Sequence, residues 1–377
     1  GYSAAMPQLL KKSGVDKFVT SKLGWNEFNQ IPYDLFKWMG VDGTETLACF
    51  MTGRDVGWDN FRATTYVGSI TPGHIKGTWD RQQQKEYTNE VFVTYGYGDG
   101  GGGPTEEMLE MQRRIHKGLI GVPKTEMKTA TESLDSIEKK FIKNSEKIGK
   151  TPRWKGELYL EFHRGTYTSV GKIKRYNRKC EFMLHNAEVF SVLNVLEKNG
   201  EYDTDSINKA WKTVLLNQFH DVIPGSSIHA VYDDVFKMYD EVRNNIGDVI
   251  DKSLNEIAKD IPGENKIAVF NPNGFAMTDV IKYNGEYITV RDIPAFGWCV
   301  TDAKNEMCAV TVSGNTIENK FYKITFDGDF DIISIYDKRE CREVIRSGQK
   351  ANEFIMYEDL PYSYDAWDLS IYHKDKK

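Results

Sequence analysis

Between Ser169 and Lys259 the chain carries three long helical stretches, and from Lys266 its hydrophobic period changes to two. A stripe recurring every three or four residues buries one face of a helix, whereas strict alternation buries one face of a strand. The two regions must therefore fold as different layers. In Ser169–Leu196 the stripe is Ile173, Tyr176, Cys180, Met183, Ala187 and Phe190; in Asp205–His220 it is Ile207, Trp211, Val214, Leu215 and Phe219. Pro224 and Gly225 interrupt, and Ser226 or Ser227 is expected to cap a third helix ending near Lys259. Three long helices with short connections predict a three-helix bundle. Beyond Lys266, the segments IAVFNP, DVIKY, YITVRDI, CAVTVS, KFYKITF and DIISIYD read as strands separated by Asn, Gly and Asp turns, the start of a β-sandwich.

Ahead of the helices, short helical and strand signals alternate, the rhythm of an α/β region. Met6, Leu9 and Leu10, with Gly14 as a stop, mark an opening helix. Asp16–Ser21 and Glu90–Tyr97 are expected strands, with Gly43–Met51 and Thr65–Ile70 as further ones. Thr105 and its following acidic residues open a helix to Lys117; Lys124–Lys147 has helical spacing, and Gly156–Phe162 alternates as a strand. The predicted organisation is multidomain α/β, then α, then β, divided at 1–123, 124–262 and 263–377.

The 40% hydrophobic and 28% charged content is that of a globular chain, and a net charge of −6 argues against nucleic acid as partner. No apolar run approaches the ~20 residues of a membrane span. Cys49, Cys180, Cys299, Cys308 and Cys341 are odd in number, widely spaced and without a CxxC pair, which points to a reducing, cytoplasmic setting. The sequence starts at Gly1 rather than at a Met and shows no signal peptide, and both ends read as cut. Twelve per cent aromatics suits ordinary core packing and equally suits stacking against sugar rings.

Three polar groups stand out. Asn217 and His220, three apart, are expected to share a helix face, with Asp221 placed to orient His220 as a metal ligand or to accept from a substrate hydroxyl. A lone helix-terminal His is equally explained by the dipole. Zinc takes about four ligands, and no HxH, HxD or HExxH motif supplies the rest. The run YGYGDGGGGP, Tyr95–Pro104, holds Asp99 after an expected strand, where α/β domains place chemistry. A turn Asp among glycines is the plain alternative. Pro104 and Thr105 follow where a phosphate loop would need Lys and Ser or Thr, which argues against a nucleotide. His163, Arg164, Gly165, Thr166 and Tyr167 form a polar junction, either a solvated helix start or a place for sugar hydroxyls.

Together, GYSAAMPQLLKKSGVDKFVTSKLGWNEFN, GDGGGGPT, LYLEFHRGTYTS with KRYNRKCEF, LLNQFHDVIPGSS and LPYSYDAWD resemble glycoside hydrolase family 38 α-mannosidases of the cytosolic and bacterial branch, in that family's order. The resemblance implies a distorted β/α barrel, a helical bundle and β-sandwich domains. It implies retaining hydrolysis of α-linked mannose from oligosaccharides, with two carboxyl groups roughly 5–5.5 Å apart. It also implies a zinc ion that holds the nucleophile and the sugar hydroxyls. Residue by residue, His220 matches the family's last zinc ligand, Asp221 the neighbouring substrate contact, and Asp99 the general acid/base. Lys22 falls where other branches place an Arg, and His163 and Tyr167 are candidate lining residues. The family's nucleophile lies in a D-x-F-G segment whose Gly matches Gly1, and an early His-x-Asp pair supplies further zinc ligands. The expectation is thus an internal piece with a partial barrel, inactive alone. The alternative is a non-catalytic carbohydrate-binding or scaffold protein on a degenerate glycosidase fold. Assembly as a homo-oligomer is left open.

Overall fold

The computed structural model describes residues 1–54, 64–262, 266–302 and 309–375, and these form two compact units. The first comprises Gly1–Tyr167 with Pro361–Leu369, the second Thr168–Leu360 with Ser370–Lys377.

In the first unit a helix, α1 (Met6–Lys12), carries Pro7 in its first turn and is followed by Gly14 at φ +79°. Strands β1 (Lys17–Thr20), β2 (Leu35–Met39) and β3 (Glu45–Phe50) form a mixed sheet with β4 (Arg153–Lys155), in the order β1-β3-β2-β4. β1 runs parallel to β3, β4 parallel to β2, and β2 antiparallel to β3. The sheet is buried on both faces. Phe36, Trp38, Ala48 and Phe50 pack with Leu23, Leu158 and Leu160 on one side. Leu35, Leu47 and Cys49 meet Leu134, Ile137 and Phe141 of α4 (Ala130–Ile148) on the other. Between β3 and α4 lie α2 (Pro72–Arg81) and α3 (Glu106–His116), capped by the hydroxyls of Thr71 and Thr105.

Several sequence expectations are corrected here. Glu90–Tyr97 and Thr65–Ile70 are not strands; they touch through one parallel bridge, Gly68 to Tyr95. The Thr94 hydroxyl donates to the Tyr66 carbonyl at 2.7 Å and Gly96 sits at φ +112°, so the ladder does not propagate. The helix expected from Lys124 begins at Ala130, because Thr129 and Glu132 form a reciprocal capping box there. Gly156–Phe162 does not form a strand either: Leu158 bridges Tyr2, and the chain then winds into a 3-10 helix over Glu161–Tyr167.

Glu161 explains that change of course. It is only 2% exposed, and its carboxylate accepts from the backbone N–H groups of Glu27, Phe28 and Asn29 and from the Asn29 side chain. The Asn26 amide completes the joint, accepting from the Glu161 N–H at 3.0 Å and donating to the Tyr159 carbonyl at 2.7 Å. This ties the segment after the Lys22–Trp25 turn to a segment more than a hundred residues later.

In the second unit α5 (Gly171–Lys198), α6 (Thr204–Asn217) and α7 (His229–Ala258) pack around Ile173, Cys180, Leu184, Ala187, Val214, Tyr239, Val242 and Ile246. Leu215 and Phe219, expected inward, are more than half exposed: the buried stripe of α6 runs Ile207, Ala210, Val214 and Asn217, and Phe219 lies beyond the helix end. α6 stops at Asn217, so Asn217 and His220 do not share a helix face; Asn217 turns inward and donates to the Thr213 carbonyl at 3.0 Å. Ser226 and Ser227 do not cap α7, whose N-cap is Ile228; both hydroxyls bond to Asp221 instead.

The rest of the unit is antiparallel β-structure. β5 (Lys266–Asn271) pairs with β8 (Gly297–Asp302), and β6 (Met277–Tyr283) with β7 (Glu286–Ile293). A five-stranded sheet follows, with β9 (Thr311–Ser313), β10 (Thr316–Glu318), β11 (Tyr322–Phe326), β12 (Ile332–Asp337) and β13 (Arg342–Glu343) in consecutive order. Cys308, with the start of the expected CAVTVS strand, lies outside the described residues; Cys49, Cys180, Cys299 and Cys341 are free thiols. Among the described residues no helix is long and apolar enough to cross a membrane.

Burial opposes ionisation of Glu161, but the N–H donors of Phe28, Asn29 and Glu27 outweigh it and hold the carboxyl below its usual 4.5. Glu161→Gln is expected to cost about 2–4 kcal/mol at pH 7, read by urea unfolding. A carboxyl with a lowered folded pKa stabilises above its unfolded value and loses that contribution as pH falls through the folded one. The gap between wild type and variant is therefore full near neutrality and closes below pH 4.5.

Candidate active site

Asp99 stands at the tip of the glycine loop. Tyr97 and Gly103 exchange backbone hydrogen bonds at 2.9 and 2.8 Å, closing the loop, and Gly101 N–H donates to the Gly98 carbonyl. Asp99 itself adopts φ +52°, a conformation that Asp tolerates better than most residues. Its exposed carboxylate is not free to swing: Oδ1 accepts from the Tyr66 hydroxyl at 2.6 Å. The same hydrogen bond raises the Tyr66 pKa, since ionising the phenol would set two negative charges against each other.

Lys22 joins this group through its cation. Nζ lies 4.1 Å from the centre of the Trp25 ring and 5.3 Å from that of Tyr66. Both rings present electron-rich faces to the ammonium. Trp25 is pinned by its indole N–H, which donates to the Thr64 carbonyl at 2.8 Å. Its ring continues to His163, with centroids 6.2 Å apart, and His163 stacks on Trp367 at 4.5 Å and 23°. Trp367 in turn stacks on Tyr364 at 5.5 Å and 7°. Gly165 makes the last joint: its N–H donates to the Trp367 carbonyl at 2.7 Å, and a Cβ there would meet that oxygen at 2.9 Å. The first unit thus brings Asp99, Lys22 and His163 into one connected set of contacts.

Tyr167 stands apart from that ladder. It is largely exposed, and its hydroxyl lies beside Gly1, close to where a Cβ on that glycine would be. Sequence reasoning gave no role to Tyr66, Trp25, Trp367 or Tyr364. The last three lie in quoted motif segments, whereas nothing near Tyr66 in sequence marks it. A cleft of about 240 Å³ is lined by Leu23, Asp34, Thr52, Arg54, Arg81 and Gln83, beyond the ends of β1 and β3. No sequence-predicted site residue lines it.

His220 and Asp221 belong to the second unit, on the loop after α6. The imidazole is exposed, and Nε2 lies 3.5 Å from Asp221 Oδ2. Asp221 is fixed from the far end of its loop by the hydroxyls of Ser226 and Ser227. An imidazole nitrogen beside a carboxylate oxygen is, in kind, what a divalent zinc ion takes. In number the donors fall short: among the described residues no three His, Cys, Asp or Glu side chains gather as a metal cage.

Residues 1–157 match the N-terminal domain of the glycosyl hydrolases of family 38, residues 161–257 the alpha mannosidase middle domain, and residues 317–377 the family 38 C-terminal domain. The whole chain is 28% identical to part of alpha-mannosidase 2C1 of Mus musculus and 30% identical to part of alpha-mannosidase G of Dictyostelium discoideum, covering 36% and 38% of those proteins. Over 99% of its length it is 32% identical to an alpha-mannosidase of Saccharomyces cerevisiae, covering 33% of it. The chain therefore spans 33–38% of the length of these relatives. In fold it is similar to the crystal structure of an alpha-mannosidase from Enterococcus faecalis, with a TM-score of 0.61 at 14% identity over 90% of this chain and 47% of that one. With its N-terminal, middle and C-terminal segments matched in order, this chain belongs to glycoside hydrolase family 38.

Proposed function

We propose that the protein carrying this chain hydrolyses α-linked mannose from oligosaccharides with retention of configuration, and that Asp99 is its general acid/base. The observation that carries this reading is the Asp99 carboxylate, locked by Tyr66 at the tip of a glycine loop within the family 38 N-terminal domain. Relatives named as alpha-mannosidases support the substrate class.

In this reading the Asp99 Oδ2 proton goes to the departing glycosidic oxygen, and the same oxygen later takes a proton from the attacking water. Lys22 adds a fixed positive charge beside Tyr66, and the faces of Trp25 and His163 pack against the sugar. Tyr167 contacts its hydroxyls, and within the second unit Asp221 is read as an acceptor for a substrate hydroxyl. No nucleophile is assigned among residues 1–377. The described part of the first unit is read as the end of a distorted β/α barrel, and the strands after α7 as the opening of a β-sandwich. A divalent ion, zinc by donor type, completes the whole enzyme, with His220 as the ligand this chain supplies. The free thiols fit a reducing compartment.

Asp99→Asn in the whole enzyme is expected to lower kcat/KM on an unactivated mannobiose by about 10²–10⁴-fold. Unchanged hydrolysis removes Asp99 from the chemistry, and binding of mannose-containing glycan without any hydrolysis points to the scaffold alternative. A strong chelator is expected to abolish turnover of an aryl α-mannoside, and added divalent ion to restore it. Full activity after exhaustive chelation contradicts the assignment of His220.

A further inference from the structure

The loop from Gln218 to Ser227 is held in an unusual way. Phe219 and His220 project into solvent, so packing does not fix their end of the loop. Polar anchors do. At the far end the Ser227 N–H donates to the buried Tyr232 hydroxyl at 2.8 Å, and the Ser227 hydroxyl to the Asp221 carbonyl at 2.5 Å. Gly225, at φ +88°, lies against the Ser169 backbone so closely that a Cβ would sit 2.4 Å from its carbonyl oxygen.

At the near end the Gln218 and Phe219 N–H groups continue the last turn of α6 onto the Leu215 and Leu216 carbonyls, and one side chain reaches across to α5. Gln218 Nε2 donates to Asn177 Oδ1 at 3.1 Å and to Glu181 Oε1 at 2.9 Å, both on α5. Asn177 is 6% exposed; its own Nδ2 donates to Glu181 Oε1 at 3.0 Å, and its Oδ1 also accepts from the buried Tyr239 hydroxyl at 3.4 Å. Arg178 neutralises the other Glu181 oxygen. Every member of this cluster has a partner, the condition under which a buried polar network stiffens its surroundings. An apolar contact between α5 and the end of α6 would hold the helices together with less desolvation. What the amide adds is direction: it fixes the chain at Gln218, two residues before His220.

We propose that Gln218, clamped by Asn177 and Glu181, is a positioning residue that sets the orientation of the His220–Asp221 pair. This rests on the reading of that pair as part of the active site. The clamp and the site residues share the second unit, so the proposal needs no contact with the first.

The test uses the whole enzyme and an exchange of partners. Gln218→Glu sets a carboxylate against Glu181, whereas Gln218→Glu with Glu181→Gln restores the donor and acceptor with their places swapped. Three properties are read: kcat and KM on an aryl α-mannoside, retention of zinc against a chromogenic chelator, and the melting temperature. The single variant is expected to lose about 10- to 100-fold in kcat and in zinc retention, the range for residues that orient a metal's ligands. Its melting temperature should change little, and the double variant should recover most of the loss. Wild-type values in the single variant overturn the clamp, as does a loss that tracks melting temperature and is not recovered by the exchange. If the single variant does not fold, a folded double variant decides: activity supports the clamp and inactivity overturns it. A wild-type enzyme that holds zinc without hydrolysing mannosides refutes the functional reading, while zinc retention still judges the clamp. A wild type that does neither removes the site and the clamp with it.

Discussion

Glu161 brings a negative charge into a nearly solvent-free position and is repaid by four donors from a single stretch of chain, Glu27 to Asn29. Much of the candidate site in the first unit hangs on that joint. Immediately before the donor stretch come Lys22 and Trp25; immediately after Glu161 come Phe162, His163 and Gly165. Clamping the carboxylate sets two chain segments side by side, and the contacts of Trp25 with Phe162 and His163 follow from it. Trp367 then enters as the third partner, through its stack on His163 and its carbonyl against Gly165.

The second unit solves a related problem with uncharged donors. An exposed imidazole beside an exposed carboxylate has little packing to hold it, so the loop is tied down by hydrogen bonds at both ends. Gly225 is the one glycine of this loop whose lack of a side chain is demanded twice, by its positive φ and by the Ser169 backbone beside it.

Much of the framework was legible from periodicity. The stripe of α5 and the first turns of that of α6 read true because each helix buries one face over several turns, whereas Leu215 and Phe219 face outward because the α6 stripe runs on through Asn217. β2 was not seen: Leu35, Phe36 and Trp38 are buried on two faces of the sheet, which erases alternation. Glu90–Tyr97 misled for the opposite reason, alternating like a strand while its neighbour offers one bridge. Asp99 and His220 stand out as candidates from their local setting, but Lys22 is singled out, and a role given to any of the three, only through resemblance to a family. Tyr66 was invisible, because a hydrogen bond across 33 residues leaves no local trace. The Glu161 joint spans a still longer separation, and a Glu in an alternating stretch looks like a solvated face.

The central claim is that Asp99 delivers the proton that lets the aglycone leave. The most direct measurement is the rate of the Asp99→Asn enzyme on aryl α-mannosides whose phenols span a wide range of acidity. A dinitrophenolate leaves without protonation, so its first step should be nearly spared, while the rate should fall steeply as the phenol becomes less acidic. A variant that loses the same factor on every leaving group would contradict proton donation by Asp99 and place its effect on binding or folding instead.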